Sequence, residues 1–128
     1  MRFLLDTHTF LWWVDGSPAL SDEASKVIRN PRNDCFLSMA SCWEMAIKSS
    51  IGKLTLVMSV ERFVAEQIAE DGFVLLPIEF RHVCKVESLP FYHRDPFDRL
   101  LVAQSITEKM AIISADTTLD QYGVRRIW

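Results

Sequence analysis

The sequence predicts an α/β domain in which a mostly parallel central sheet is flanked by helices on both faces, three layers in all. Three observations point there. Continuous apolar runs at Phe3-Leu4-Leu5, Cys35-Phe36-Leu37 and Ala111-Ile112-Ile113 have the length and character of strands buried on both faces. Stretches with apolar residues at helical spacing lie between them, so strands and helices alternate along the chain and right-handed crossovers can join them. Two of the runs lead into a carboxylate, Asp6 and Asp116, as expected where strands end at a ligand-binding sheet edge.

Taken in order, the first strand stops at Asp6, and Thr7 to Val14 follow as a helix with Phe10, Leu11, Trp13 and Val14 at core spacing. Adjacent helical residues lie about 100° apart, so Trp12 and Trp13 cannot both point inward, and one is expected to contact another chain. Asp15-Gly16-Ser17-Pro18 breaks the helix. Ser21-Asp22-Glu23 opens a second one, which carries Ala24, Val27 and Ile28 and ends at Asn30-Pro31. Cys35 to Ala40 reads as a strand, after which Ser41 and Glu44 form a capping box for a third helix that closes at Ile51-Gly52. Ser59 to Ala69 is amphipathic, with Val60, Phe63, Val64 and Ile68 inward, and Phe73 to Ile78 makes a third strand. A helix over Arg81–Ser88 leads to Asp95-Pro96, an N-cap followed by the preferred first helical residue. Ala111 to Asp116 is the fourth strand and Val124 to Trp128 the last.

At 128 residues the chain fits one domain, residues 1–128, and its 49% hydrophobic content suffices for a core. A net charge of −3 argues against a protein that grips long nucleic acid through counterion release, though not against a nucleic-acid enzyme whose acids hold metal. Cys35, Cys42 and Cys84 form no paired zinc pattern with His8, His82 and His93, and read as free thiols in a reducing cytoplasm. The opening Met-Arg-Phe-Leu-Leu is interrupted too soon for a signal sequence, and no apolar run approaches membrane-spanning length.

The chemistry centres on carboxylates. Asp6 and Asp116 close strands, while Glu44 and Asp98 open helices that follow from the same sheet edge, so four acids from four segments converge. Read locally, Glu44 and Asp98 fit helix capping as readily as metal binding, and the local pattern does not decide between the two. The strand-end acids are read as having no cap to make. Two carboxylates about 5 Å apart repel by roughly 3 kcal/mol at an effective dielectric near 20, and a marginally stable domain carries such pairs only with cations or raised pKa values. All-oxygen ligation selects Mg²⁺, with Mn²⁺ as the variant, over Zn²⁺. No Gly-rich phosphate cradle is present, which favours hydrolysis of a phosphodiester over nucleotide-driven transfer.

These residues carry a family resemblance. Leu4-Leu5-Asp6-Thr7-His8, Ser41 through Lys48, His93 through Gln104, Ser114-Ala115-Asp116 and Tyr122-Gly123-Val124, in this order and nearly end to end, resemble the PIN-domain ribonucleases, in particular the VapC-type toxins of type II toxin–antitoxin modules. The resemblance implies a PIN-like fold and Mg²⁺-dependent endonucleolytic cleavage of RNA. It also implies a cognate antitoxin and a homodimer. By position the metal-binding acids fall on Asp6, Glu44, Asp98 and Asp116, with Asp120 as the alternative to Asp116. Thr7 and Asp95 are placed to support them, and Lys48, Lys53, Arg94 and Arg99 are candidates for phosphate contact. Phe10, Trp12, Trp13, Trp43 and Phe97 are candidates for the dimer surface or antitoxin groove. The competing readings are a catalytically silent PIN-like protein-binding module, whose acids act as caps, and a metal-dependent phosphatase or DNA nuclease using the same acids.

Overall fold

In a computed structural model that describes residues 1–128, the strands β1 (Arg2–Leu5), β2 (Asp34–Ser38), β3 (Val74–Leu76), β4 (Ala111–Ile113) and β5 (Arg126–Ile127) form one sheet in the order β3-β2-β1-β4-β5. Every pairing is parallel: Phe3 lies opposite Cys35 on one side and Ala111 on the other. The helices are α1 (Thr7–Asp15), α2 (Asp22–Arg29), α3 (Met39–Ser50), α4 (Val60–Asp71), α5 (Phe80–Glu87) and α6 (Pro96–Glu108), with a 3₁₀ turn over Thr117–Tyr122. None of them is long and apolar enough to cross a membrane.

Alternation along the strands divides the core into two. Phe3, Leu5, Cys35, Leu37 and Ile113 face a cluster completed by Phe10, Met45, Phe63 and Phe73. Leu4 and Ile112 face the other side, against Leu101, Val102 and Met110. The middle layer is thus covered twice, which is why its strands read as unbroken apolar runs. α6 buries five consecutive residues, Leu101 to Ser105, because the sheet lies on one side of it and α5 on another. Its Gln104 has no contact with water: Oε1 accepts from Ser38 Oγ at 2.5 Å and Nε2 donates to the Pro77 carbonyl, tying α6 to the ends of β2 and β3.

Several boundaries differ from the sequence expectation. β2 ends two residues early and the cap of α3 comes three residues early, because Ser38, not Ser41, is the N-cap and accepts from the Ala40 amide. Ser41 and Glu44 therefore make no capping box. They lie inside the helix, and both are buried. The third and last strands are shorter than their apolar patterns. Each is a sheet edge with one neighbour to pair with, and β5 keeps two residues.

Phe10 is a second correction, since it is fully buried between Phe63 and Phe73 and unavailable to any partner. Arg99 is a third. It is 5% exposed, and its guanidinium donates to the carbonyls of Val86, Leu89 and Pro90 while lying 4.0 Å from the Phe91 ring. It holds the α5–α6 connection closed and is withdrawn from phosphate. Each acceptor orphaned by its loss costs about 1–3 kcal/mol, so Arg99→Met is expected to lower stability by about 3 kcal/mol or more. Urea unfolding should show a reduced midpoint at unchanged slope; a loss below about 1 kcal/mol would mean that water replaces the guanidinium.

Candidate metal centre at the carboxyl edge of the sheet

Asp6 leaves β1 at the sheet centre, and its amide donates to the Ile113 carbonyl at 3.2 Å, which holds the ends of β1 and β4 together. Its carboxylate accepts from the Thr9 amide at 2.7 Å and so caps α1. Asp116, after β4, likewise caps the 3₁₀ turn by accepting from the Thr118 amide. Both strand-end acids therefore make caps, contrary to expectation. A cap engages one oxygen through a backbone amide, and the second remains for another partner.

Glu44, 4% exposed, projects from α3 toward the same edge. Thr7 Oγ1 donates to its Oε1 at 2.6 Å and also lies 2.9 Å from Ser41 Oγ, while Lys48 Nζ donates to Oε2 at 2.5 Å. Lys48 is thus tied to the acid one turn before it, and this bond raises its pKa. Asp95 caps α6, accepting from the amides of Phe97 and Asp98, and that start aims Asp98 at the cluster. Burial, with Asp95, Asp6 and Glu44 adding to it and His93 partly offsetting it, pushes the Asp98 carboxyl up to about 7. Burial also raises Asp116, but the Thr118 amide and His93 outweigh it and leave the carboxyl below its ordinary value.

His93 is the residue that sequence reasoning passed over. Its Nε2 stands 2.8 Å from Asp116 Oδ2 and 3.3 Å from Asp98 Oδ2. Nδ1 accepts from the Asp95 amide, so the ring carries hydrogen on Nε2 and donates it to Asp116. It occupies the point where the two carboxylates most need a positive or hydrogen-bearing group. Asp120 stands apart, exposed and paired with Arg126 at 2.8 and 3.1 Å, so of the two acids left open it is Asp116 that joins the cluster.

Asp6 and Asp116 also line a cavity of about 260 Å³ with His8, Trp12 and Ala115. Trp12 packs between His8 and Trp128 at its wall, whereas Trp13 turns away, donating to Asp71 and lying under Arg29. Trp43, 56% exposed, meets Phe97 edge-on at 5.2 Å beside the acids. Arg94 and Lys53 are exposed and make no ion pair. Carboxylate oxygens converging from α3, α6 and the ends of β1 and β4 suit a hard divalent cation. The raised Asp98 carboxyl marks the charge that such an ion would relieve.

The PIN domain family model matches residues 3–124. Among solved structures, the chain is similar to one in VapBC2 from Rickettsia felis bound to a DNA fragment from its promoter (TM-score 0.71, 10% identity, 98% of this chain and 97% of that one). It is also similar to one in DNA-bound VapBC from Salmonella typhimurium (0.67, 12%, 98% and 96%). A third, in a toxin–antitoxin complex from Klebsiella pneumoniae, aligns less fully (0.57, 17%, 89% and 86%). At these identities the likeness is one of fold. No curated protein sequence matches.

The carboxyl cluster has a consequence for stability. Unfolded, Asp98 titrates near its ordinary 3.8, so between there and about pH 7 the folded protein keeps a proton that the unfolded chain has lost. The stabilisation is full below the unfolded value and disappears as pH rises through the folded one. Asp116 works in the opposite direction, but only below its ordinary value. Metal-free protein is therefore expected to melt at progressively lower temperature from about pH 5 to about pH 7.5, and Asp98→Asn to flatten that slope. Identical slopes in both proteins would remove Asp98 as its source.

Proposed function

The chain belongs to the PIN-domain family, and from that premise we propose that it is a divalent-metal-dependent endoribonuclease serving as the toxin of a toxin–antitoxin pair. The observation that carries the reading is the convergence of Asp6, Glu44, Asp98 and Asp116, with the Asp98 carboxyl pushed up to about 7 by burial and by its acidic neighbours. These four would hold the ion, Mg²⁺ by the hardness of its oxygen donors or Mn²⁺ in its place. Such an ion supplies an acidified water and charge neutralisation at the scissile phosphate.

The chain's own residues prepare the site. Backbone amides of Thr9 and Thr118 each fix one oxygen of Asp6 and Asp116, and His93 holds the second oxygen of Asp116. Thr7 and Lys48 fix the two oxygens of Glu44. Asp95 orients the helix start from which Asp98 projects. Lys48 and Arg94 are the cations placed to meet substrate phosphate, Lys48 through its bond to Glu44 and Arg94 from the exposed loop just before α6. RNA as substrate rests on family resemblance and on the phosphodiester chemistry that the acids favour.

The partners follow from the same reading. The similar chains from Rickettsia and Salmonella come from VapBC assemblies and the Klebsiella one from a toxin–antitoxin complex, which supports a protein antitoxin here. The exposed Trp43, packed edge-on against the half-buried Phe97, supports a homodimer or antitoxin contact at the active edge. Three free cysteines suit the reducing cytoplasm.

Asp98→Asn is expected to abolish Mg²⁺-dependent cleavage of total RNA while keeping the folded circular-dichroism spectrum. Cleavage retained by that variant would sink the assignment of the acid, and RNA ends mapped from the wild type separate this activity from a phosphatase or a DNA nuclease. Thr7→Val should weaken Mg²⁺ binding by about 10–100-fold, as loss of a group that orients a metal ligand does. Magnesium should raise the melting temperature of the wild type; equal melting with chelator and with saturating Mg²⁺ would favour the silent binding module.

A further inference from the structure

The acids occupy one end of the sheet. At the other, where β1 and β4 begin and α6 ends, lies a cavity of about 540 Å³. That volume falls in the range of about 300–1,000 Å³ typical of small-ligand sites. α6 is about 20 Å long, and it separates this cavity from Asp98 at its opposite terminus. Ile106, Met110 and Val124 contribute its apolar floor, and Arg2, Lys109 and Arg125 stand at its rim. No carboxylate lines it. The nearest acid in sequence, Glu108, turns its side chain away to His82 and Arg81.

The obvious account of these cations is that they compensate the carbonyl end of α6. Arg2 does donate to the Glu108 carbonyl at 2.6 Å. A helix terminus, however, carries about half a negative charge, against three full positive ones here. Lys109 and Arg125 have no ion-pair partner, as is true of most of the chain's cations, so both are free to meet an anion at the cavity. Lys109 is also the one non-glycine residue in the left-handed region, at φ 55°, in a helix-terminating position that glycine commonly fills. The chain accepts about 1–2 kcal/mol of backbone strain there and keeps a cation at the rim.

We propose that this cavity binds a nucleoside monophosphate group, free or as the terminal nucleotide of an RNA strand. The phosphate would be taken by Arg125 and Lys109, and the flat base would lie on the Ile106–Met110–Val124 floor beside the Arg2 guanidinium. The inference stands apart from the nuclease reading, because it uses none of the acid cluster.

Amide spectra of ¹⁵N-labelled protein, titrated in metal-free, low-salt buffer with inorganic phosphate, AMP and a 5′-phosphorylated RNA hexamer, test it directly. AMP is expected to shift Met110, Ala111, Gly123 and Val124 with a dissociation constant of about 1 mM or lower, leaving Asp6, Thr7 and Asp98 unmoved. Arg125→Glu with Lys109→Glu should weaken binding by at least about 10-fold, and Arg125→Ala by a smaller factor, while Mg²⁺-dependent cleavage is unchanged. Tighter binding of the hexamer at the same amides identifies an RNA end as the source, and binding of AMP alone identifies the free nucleotide; either upholds the site. Phosphate binding as tightly as AMP, shifts that do not saturate, or shifts centred on the acid edge would overturn it.

Discussion

Mutual repulsion of carboxylates at one sheet edge is the constraint on which the site's architecture depends. A marginally stable domain does not gather Asp6, Glu44, Asp98 and Asp116 without giving each a donor. Amides serve Asp6 and Asp116, the Thr7 hydroxyl and the Lys48 ammonium serve Glu44, and His93 stands between Asp98 and Asp116. Asp98 is the least provided for, and its carboxyl is the one pushed toward neutrality. At Asp6 and Asp116 the cap uses one carboxylate oxygen, while Glu44 and Asp98, which the local pattern could equally have made caps, make none.

What the sequence made legible was local. Apolar runs of strand length gave the sheet, and Asp95-Pro96 gave the start of α6, because their causes lie within a few residues. What it concealed depends on contacts across the fold. Ser41 with Glu44 matches a capping box in spacing, but the Thr7 hydroxyl from α1 reaches both residues. Arg99 resembles a surface cation until the carbonyls of Val86, Leu89 and Pro90 are folded onto it. His93 has its acid partner 23 residues downstream, beyond any local pattern, although its place at the head of the Asp95–Asp98 stretch was a usable hint.

The modest net charge hides a division of the molecule into unlike ends. Carboxylates collect where the strands finish, and unpaired cations collect where β1 and β4 start. Summed charge measures neither. A polyanion approaching such a domain meets a field that depends on direction, so salt should alter its approach to the two ends in opposite senses.

β1 precedes the other four strands in the chain and is the centre of the sheet, flanked by β2 and by β4. The Asp6 amide and the Thr9 hydroxyl both donate to the Ile113 carbonyl, more than a hundred residues later. Biosynthesis runs in one direction, and N-terminal segments emerge first. Asp6 and Thr9 are therefore made more than a hundred residues before the carbonyl that holds them. Until β4 is made, the central strand has a partner on one side only, and the end of β1 that carries Asp6 is unfixed.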